Sequence, residues 1–100
     1  MANKHYFYVL LTNDQTYYGG YTIDPIRRIH EHNEGIGAKY TRIAKRRPVQ
    51  MIHLEEFSTR SQATSAEAAF KKLTSRNQKK HYLLTKQKSS KNLLKIIFKK

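Results

Sequence analysis

The chain has 100 residues, no cysteine and a formal net charge of +13. This length allows one domain with a modest core, and the lack of cysteine excludes a disulfide framework. No apolar run approaches the roughly 20 residues that a membrane-spanning helix needs, and the N-terminus runs into a strand pattern without a signal peptide. We therefore expect a single domain over residues 1–100, in the cytoplasm, with no membrane partner.

The positive charge is unevenly distributed. Residues 1–50 carry +4 and residues 51–100 carry +9, with no acidic residue after Glu67. Such an excess favours a polyanionic partner, because phosphate contacts need only lysine and arginine on one surface. We interpret it as a nucleic-acid-binding surface, with DNA favoured over RNA. The alternatives are an anionic membrane surface or a solvated basic surface without a specific partner.

Two tyrosine-rich segments, residues 6–12 and 16–22, predict a β-hairpin. Its loop length decides which side chains share a face. A two-residue loop would place Tyr8 and Tyr18 on opposite faces. A three-residue loop, which we favour, places them diagonally on one face, with Tyr8 opposite Gly20. The simpler interpretation of these tyrosines is that they are good strand formers.

A helix should follow the hairpin, with Asp24 as its N-cap, Pro25 at its first position and Gly35 just beyond its end. Its inward stripe is predicted to be Ile26, Ile29, His30 and Asn33. Arg28 has His32 four residues on instead of an acidic partner, so we expect its guanidinium to be free for an anion.

The connection after this helix is basic. Residues 38–44 predict a short helix that displays Lys39, Tyr40 and Arg42, and Arg46 follows it. Basic residues interleaved with a tyrosine suit phosphate contact plus stacking on a base. A solvated connector is the alternative.

A third strand is predicted over residues 49–57, followed by a helix from the Thr59–Gln62 capping box to about Leu73. The apolar stripe of this helix is Ala63, Ala66, Phe70 and Leu73. Glu67 lies within the stripe, where a carboxylate is costly unless it is paired. Two explanations remain open: a salt bridge to Arg28, or a role as ligand of Mg²⁺ or Mn²⁺.

The last quarter of the chain, residues 76–100, is predicted to form a basic helix and then an apolar tail. If this tail is exposed, its apolar side chains favour association with other apolar surfaces, so self-association through it is one expectation.

Several motifs together resemble the GIY-YIG endonuclease superfamily, in particular its small stand-alone bacterial members. The resemblance covers about residues 6–75. Its landmarks, in order, are Tyr6-Phe7-Tyr8, Tyr18-Gly19-Gly20, Arg28, His32, the 35–42 segment and Glu67. The chain departs from the motif with Tyr6 in place of glycine, Gly19 in place of isoleucine and Tyr21 in place of a lysine that some members carry.

The resemblance implies an α/β (α+β) fold, with a small three-stranded antiparallel sheet flanked by helices. It also implies a divalent-metal-dependent endonuclease: Glu67 would hold one Mg²⁺ or Mn²⁺, and Tyr8 or Tyr18 would take a proton from water. Arg28 would bind the scissile phosphate, and His32 would relay protons or position the base. We expect the nucleic acid to contact Lys39, Tyr40, Arg42, Arg46, Lys71 and Lys72. The alternative is a non-catalytic nucleic-acid-binding domain that retains the fold.

Overall fold

A computed structural model describes residues 4–79. The strands and helices of this part are β1 His5–Leu11, β2 Tyr17–Thr22, α1 Pro25–Asn33, β3 Gln50–Phe57 and α2 Arg60–Lys71. Within residues 4–79, no helix combines the length and the apolar character needed to cross a membrane. Residues 75–79 are helical; the remainder of the predicted basic helix and the apolar tail, residues 80–100, lie outside the described residues.

The three strands form one antiparallel sheet in the order β2-β1-β3, which confirms the predicted fold class. The central strand β1 buries side chains on both faces. On one face Tyr8 and Leu10 pack with Ile29 of α1, and on the other Phe7 and Val9 pack with Phe70 of α2. The sheet is therefore covered by α1 on one side and α2 on the other.

The hairpin between β1 and β2 has the predicted three-residue loop. Gln15, at φ +66°, takes the left-handed conformation that this loop requires, and the Thr12 amide donates to the Thr16 carbonyl at 2.9 Å. Leu10 then pairs with Tyr18, and Tyr8 pairs with Gly20. Tyr8 and Tyr18 consequently lie on the same face of the sheet.

Two adjacent glycines of β2 allow close packing on opposite faces. A Cβ atom at Gly20 would collide with the ring and hydroxyl of Tyr8. A Cβ atom at Gly19 would lie 2.7 Å from the Phe70 ring on the α2 side. Gly20 thus leaves the space that the Tyr8 side chain occupies.

The ends of α1 are as predicted, but its buried face is rotated. The Asp24 side chain accepts from the Arg27 amide at 3.1 Å, and Gly35, at φ +81°, follows the last turn. Ile26 is 44% exposed, and His30 and Asn33 are also exposed, so the predicted inward stripe is wrong at these three positions. Pro25, Ile29 and His32 face inward instead, because the His32 ring finds hydrogen-bond partners inside the fold.

The connection between α1 and β3 contains two 3-10 turns, Tyr40–Arg42 and Ala44–Arg46, in place of the predicted short helix. Ile43, between them, has an extended backbone with ψ 120°, which prevents a continuous helix. The Asn33 side chain bonds both backbone groups of Val49, so the connection is tied to the start of β3.

The second helix agrees with the sequence at its start and on its apolar face. The Thr59 hydroxyl accepts from the Gln62 amide at 3.2 Å. Ala63 and Phe70 are buried, and the helix ends at Lys71, two residues earlier than predicted. This packing sets α2 against β1 and β2 on the face opposite Tyr8, and Lys71 at the end of α2 lies 5.3 Å from the ring of Tyr18.

Candidate active site

The central contact of the site is a hydrogen bond between the Tyr8 hydroxyl and His32 Nε2, 2.7 Å apart. Tyr8 comes from the middle of β1 and His32 from the last turn of α1. Both side chains are fully buried. A buried phenol and a buried imidazole satisfy each other here, which removes the penalty for enclosing two polar groups.

This bond is part of a chain of hydrogen bonds in which each group donates a proton to the next. The Arg28 guanidinium can only donate, and its Nε lies 3.4 Å from the Tyr8 oxygen. At the other end, the Thr41 hydroxyl donates to the Ala38 carbonyl at 3.3 Å. His32 Nδ1 lies 2.7 Å from Thr41 Oγ1, so we assign its proton to Nδ1 and leave Nε2 to accept from Tyr8.

Burial decides the protonation state of both central groups. It raises the pKa of Tyr8 to about 12, although Arg28 opposes the shift by donating to the phenol oxygen. Burial, followed by the positive charge of Arg28, lowers the pKa of His32 to about 4. At neutral pH the site therefore contains a neutral phenol bonded to a neutral imidazole.

Tyr18 stands beside this pair and is half-buried. The centre of its ring lies 5.5 Å from that of His32, and it stacks at 5.6 Å on Tyr40 from the connection. The Lys71 ammonium lies 5.3 Å from the centre of the Tyr18 ring, a cation–π distance. Tyr18 therefore links the buried pair to the basic outer surface.

Arg28 reaches the predicted site. Its guanidinium is not free, although the sequence analysis predicted that it would be. Its Nη1 pairs with Glu31 Oε1 at 3.0 Å, because residues three apart on a helix are neighbours. Arg27 also approaches Glu31, at 3.8 Å, as its four-residue spacing predicts. A phosphate would have to share Arg28 with this carboxylate.

Glu67 approaches the site from α2 and is also paired, though not with Arg28. Its Oε2 lies 2.8 Å from Lys71 Nζ, and 21% of its side chain is exposed. The Glu67 charge is only the smallest of the causes that raise the pKa of Tyr8. The structure brings together Tyr8, Tyr18, Arg28 and His32, and it connects Glu67 to this cluster through Lys71, which lies 5.3 Å from the ring of Tyr18.

The carboxylate of Glu67 is compatible with a hydrated hard cation and with little else. No group of three or more histidine or acidic side chains is arranged as a metal cage in the described part of the chain. Mg²⁺ and Mn²⁺ need few protein ligands, since they retain several waters, whereas structural zinc needs about four. The half-buried carboxylate fits the first type of site, with Lys71 as the competing cation.

The predicted nucleic-acid-binding residues separate into three groups. Lys39, Tyr40 and Arg46 line a cleft that also includes Tyr18. Lys71 belongs to the active-site cluster through Glu67. Arg42 and Lys72 are exposed.

Sequence reasoning missed two members of the site, Thr41 and Glu31. Thr41 is fully buried behind His32, yet it lies in a basic connector whose local pattern contains no burial signal. The four-residue spacing gives Arg28 no acidic partner, whereas Glu31 lies three residues after Arg28, a spacing that also makes helical residues neighbours.

Comparison with known proteins shows the family of the chain. Residues 4–82 match the model of the GIY-YIG catalytic domain, so the chain belongs to the GIY-YIG family. This is a nuclease family, which implies a nucleic acid substrate and a general use of divalent metal.

The similar proteins are small. A UPF0213 protein of Enterococcus faecalis is 69% identical over 87 residues, covering 85% of this chain and 98% of that protein. The UPF0213 protein YazA of Bacillus subtilis is 48% identical over 88 residues, covering 88% of this chain and 86% of its own length. The name UPF0213 specifies no substrate or activity.

Solved structures support the fold. The solution NMR structure of the UPF0213 protein of Bacillus halodurans is 32% identical, with a TM-score of 0.56 over 93% of this chain and 96% of that one. An Enterococcus faecalis protein, also solved by NMR, is 68% identical, with a TM-score of 0.55 over 85% and 90%. Both agree with the three-stranded sheet and flanking helices described above.

Proposed function

We propose that this protein is a divalent-metal-dependent endonuclease that hydrolyses phosphodiester bonds, with DNA as the favoured substrate. The observation that carries the proposal is the environment of the Tyr8 hydroxyl. This hydroxyl lies 2.7 Å from His32 Nε2 and accepts a hydrogen bond from Arg28 Nε at 3.4 Å. Family membership and the charge of +13 support a nucleic acid substrate.

Proton transfer is the first task of the site. The attacking water gives its proton to the Tyr8 oxygen as the Tyr8 proton passes to His32 Nε2, so the phenol need not ionise fully. The resulting hydroxide attacks phosphorus, the bond to the leaving 3′ oxygen breaks, and this oxygen takes up a proton from solvent. His32 then returns its proton to Tyr8, and Tyr8 releases the proton taken from the attacking water to solvent. We assign the base to Tyr8 because its hydroxyl has an acceptor, His32, for its own proton. Tyr18 remains the alternative that the two-tyrosine motif allows.

Charge stabilisation is the second task. Arg28 lies beside the Tyr8 oxygen and would hold a phosphate oxygen, releasing part of its pairing with Glu31. Glu67 would hold one Mg²⁺ or Mn²⁺, which when bound supplies positive charge to the phosphate and to the leaving 3′ oxygen. Tyr8 has no exposed surface, so substrate binding must displace side chains that cover its hydroxyl.

The test is a nicking assay on linear and branched DNA with Mg²⁺ or Mn²⁺, compared with the same reactions in EDTA. Activity should require metal and should be lost in Glu67→Ala. Glu34→Ala is the matched control, because Glu34 is an exposed carboxylate at the end of α1. Unchanged activity in Glu67→Ala would remove the metal assignment and point to a contaminating nuclease.

A second candidate, a non-catalytic nucleic-acid-binding domain, is favoured by the pairing of Glu67 with Lys71 at 2.8 Å. It predicts binding that weakens steeply with salt and no metal-dependent cleavage. A protein-interaction role or self-association would depend on the apolar tail, which lies outside the described residues.

The proposal also keeps the expectations that the chain forms a single domain and that the protein acts in the cytoplasm.

A further inference from the structure

A cleft of about 430 Å³ opens beside the candidate active site. Its lining combines aromatic, aliphatic and basic side chains: Tyr18, Ala38, Lys39, Tyr40, Ile43 and Arg46. Tyr18 belongs to both the cleft and the active-site cluster, so a group bound here would contact the same tyrosine whose ring centre lies 5.5 Å from that of His32.

One wall of the cleft is built before any ligand binds. The Arg46 guanidinium lies 3.9 Å from the centre of the Tyr40 ring. It is held there by Asp14 at 3.3 Å and by the Tyr40 carbonyl at 3.2 Å. Tyr18 meets the ring of Tyr40 as an offset stack with an angle of 22° between the planes. Such a preassembled wall loses little conformational entropy on binding.

The cleft lining also includes an exposed isoleucine. Ile43 is 44% exposed, between two turns rich in basic residues. Because Arg46 and Tyr18 both stack on the Tyr40 ring, we take the apolar surface available to a ligand to be the ring edges, Ala38 and Ile43. A flat apolar group fits this surface, and Lys39 and Arg46 supply charge for an attached phosphate.

We propose that this cleft binds one unpaired nucleotide adjacent to the scissile phosphate, with the base against Ile43 and the tyrosine edges. A base inside a duplex is stacked and paired, so only an unpaired one can enter. The inference rests on the proposed function and names its substrate class: nucleic acid with an unpaired nucleotide, as in a bulge, a flap or a single strand.

The experiment measures binding in EDTA, so that no cleavage occurs. Two DNA duplexes of equal length are compared at one salt concentration: one fully paired and one with a single unpaired 2-aminopurine. The wild-type protein should bind the second about tenfold more tightly, since removing roughly 60 Å² of apolar surface from water contributes a factor of this order. The 2-aminopurine fluorescence should change on binding because the base moves into a protein contact.

Two variants locate the effect. Ile43→Ala should lower the preference to near unity while leaving the affinity for the paired duplex unchanged. Ile23→Ala removes an isoleucine that is 57% exposed and does not line the cleft, and should keep the full preference. Equal affinities for the two duplexes, no binding to either, or a preference that persists in Ile43→Ala would overturn the inference.

The binding experiment and the cleavage assay can fail independently of each other. Equal binding of both duplexes together with metal-dependent cleavage would remove the cleft assignment and leave the nuclease in place. A preference that depends on Ile43, without cleavage under any metal condition, would support the cleft and remove the hydrolytic role.

Discussion

Tyr8 and His32 are joined by a 2.7 Å hydrogen bond at a point where neither side chain reaches solvent. They are 24 residues apart in the chain and come from a strand and a helix. Because this pair is enclosed between Arg28 and Thr41, a change to any of the four alters both the protonation of the site and the stability of the fold.

The two tyrosines should respond differently to loss of the hydroxyl. Tyr8→Phe leaves His32 Nε2 buried without its partner, which should cost about 1–3 kcal/mol in the free energy of unfolding. It should also lower the cleavage rate by about 100-fold or more, since the proton acceptor is lost. Tyr18→Phe should retain most of the free energy of unfolding and most of the cleavage rate. Urea unfolding and a metal-dependent cleavage assay measure the two effects, and the reverse order of activities would transfer the role of base to Tyr18.

Stability should decrease on acidification because of His32. Its pKa is about 4 in the folded protein and about 6.5 in an unfolded chain, so the unfolded state binds more protons between these values. The contribution of His32 is complete above about pH 6.5 and is lost as pH falls towards 4, by up to about 3 kcal/mol. Urea midpoints at pH 7.5 and 4.5 should therefore differ more for wild type than for His32→Gln.

Direct titration provides the check on this assignment. The imidazole of His32, followed by NMR, should titrate near pH 4. A midpoint near the ordinary value, or an equal loss of stability in wild type and His32→Gln, would contradict it.

Lys71 should weaken metal binding at Glu67. The ammonium lies 2.8 Å from the carboxylate, so a divalent ion must displace it. Lys71→Met should therefore bind Mn²⁺ more tightly, by roughly threefold to tenfold, as expected when a partly exposed ion pair is removed. Calorimetry without nucleic acid measures this affinity. Lys72→Met is the matched control: it removes an equal charge from the adjacent, exposed position. Equal changes in both variants would mean that only the overall charge matters.

Adjacent glycine substitutions should separate activity from stability. Gly20→Ala forces a Cβ into the Tyr8 ring and hydroxyl, whereas Gly19→Ala forces one against Phe70 on the other face. Both should destabilise the fold by about 1–3 kcal/mol, the usual effect of overpacking. Gly20→Ala alone should also displace the Tyr8 hydroxyl and abolish cleavage under conditions where both variants are folded. Full activity in Gly20→Ala would show that the position of Tyr8 does not control the reaction.

Local chemistry made much of the fold predictable. The Asn13–Gln15 loop, the Asp24 and Thr59 caps and the helix end at Gly35 all follow from backbone preferences of a few residues, and all are confirmed. The loop length in turn determined that Tyr8 and Tyr18 share a face, since side chains alternate along a strand. The motif residues Arg28, His32 and Glu67 were found from their order in the chain.

The sequence by itself therefore determined the three strands, the two main helices, the charge and the family, and it favoured the hairpin register that the structure has. Only the tertiary structure decided which polar groups meet: Glu31 with Arg28, Lys71 with Glu67, and Thr41 behind His32. The tertiary structure also decided the rotation of α1 that exposes Ile26 and buries His32. The physical reason is that helical spacing limits which residues can be neighbours. The choice among them depends on hydrogen bonds and charges supplied by distant segments, and no local pattern contains that information.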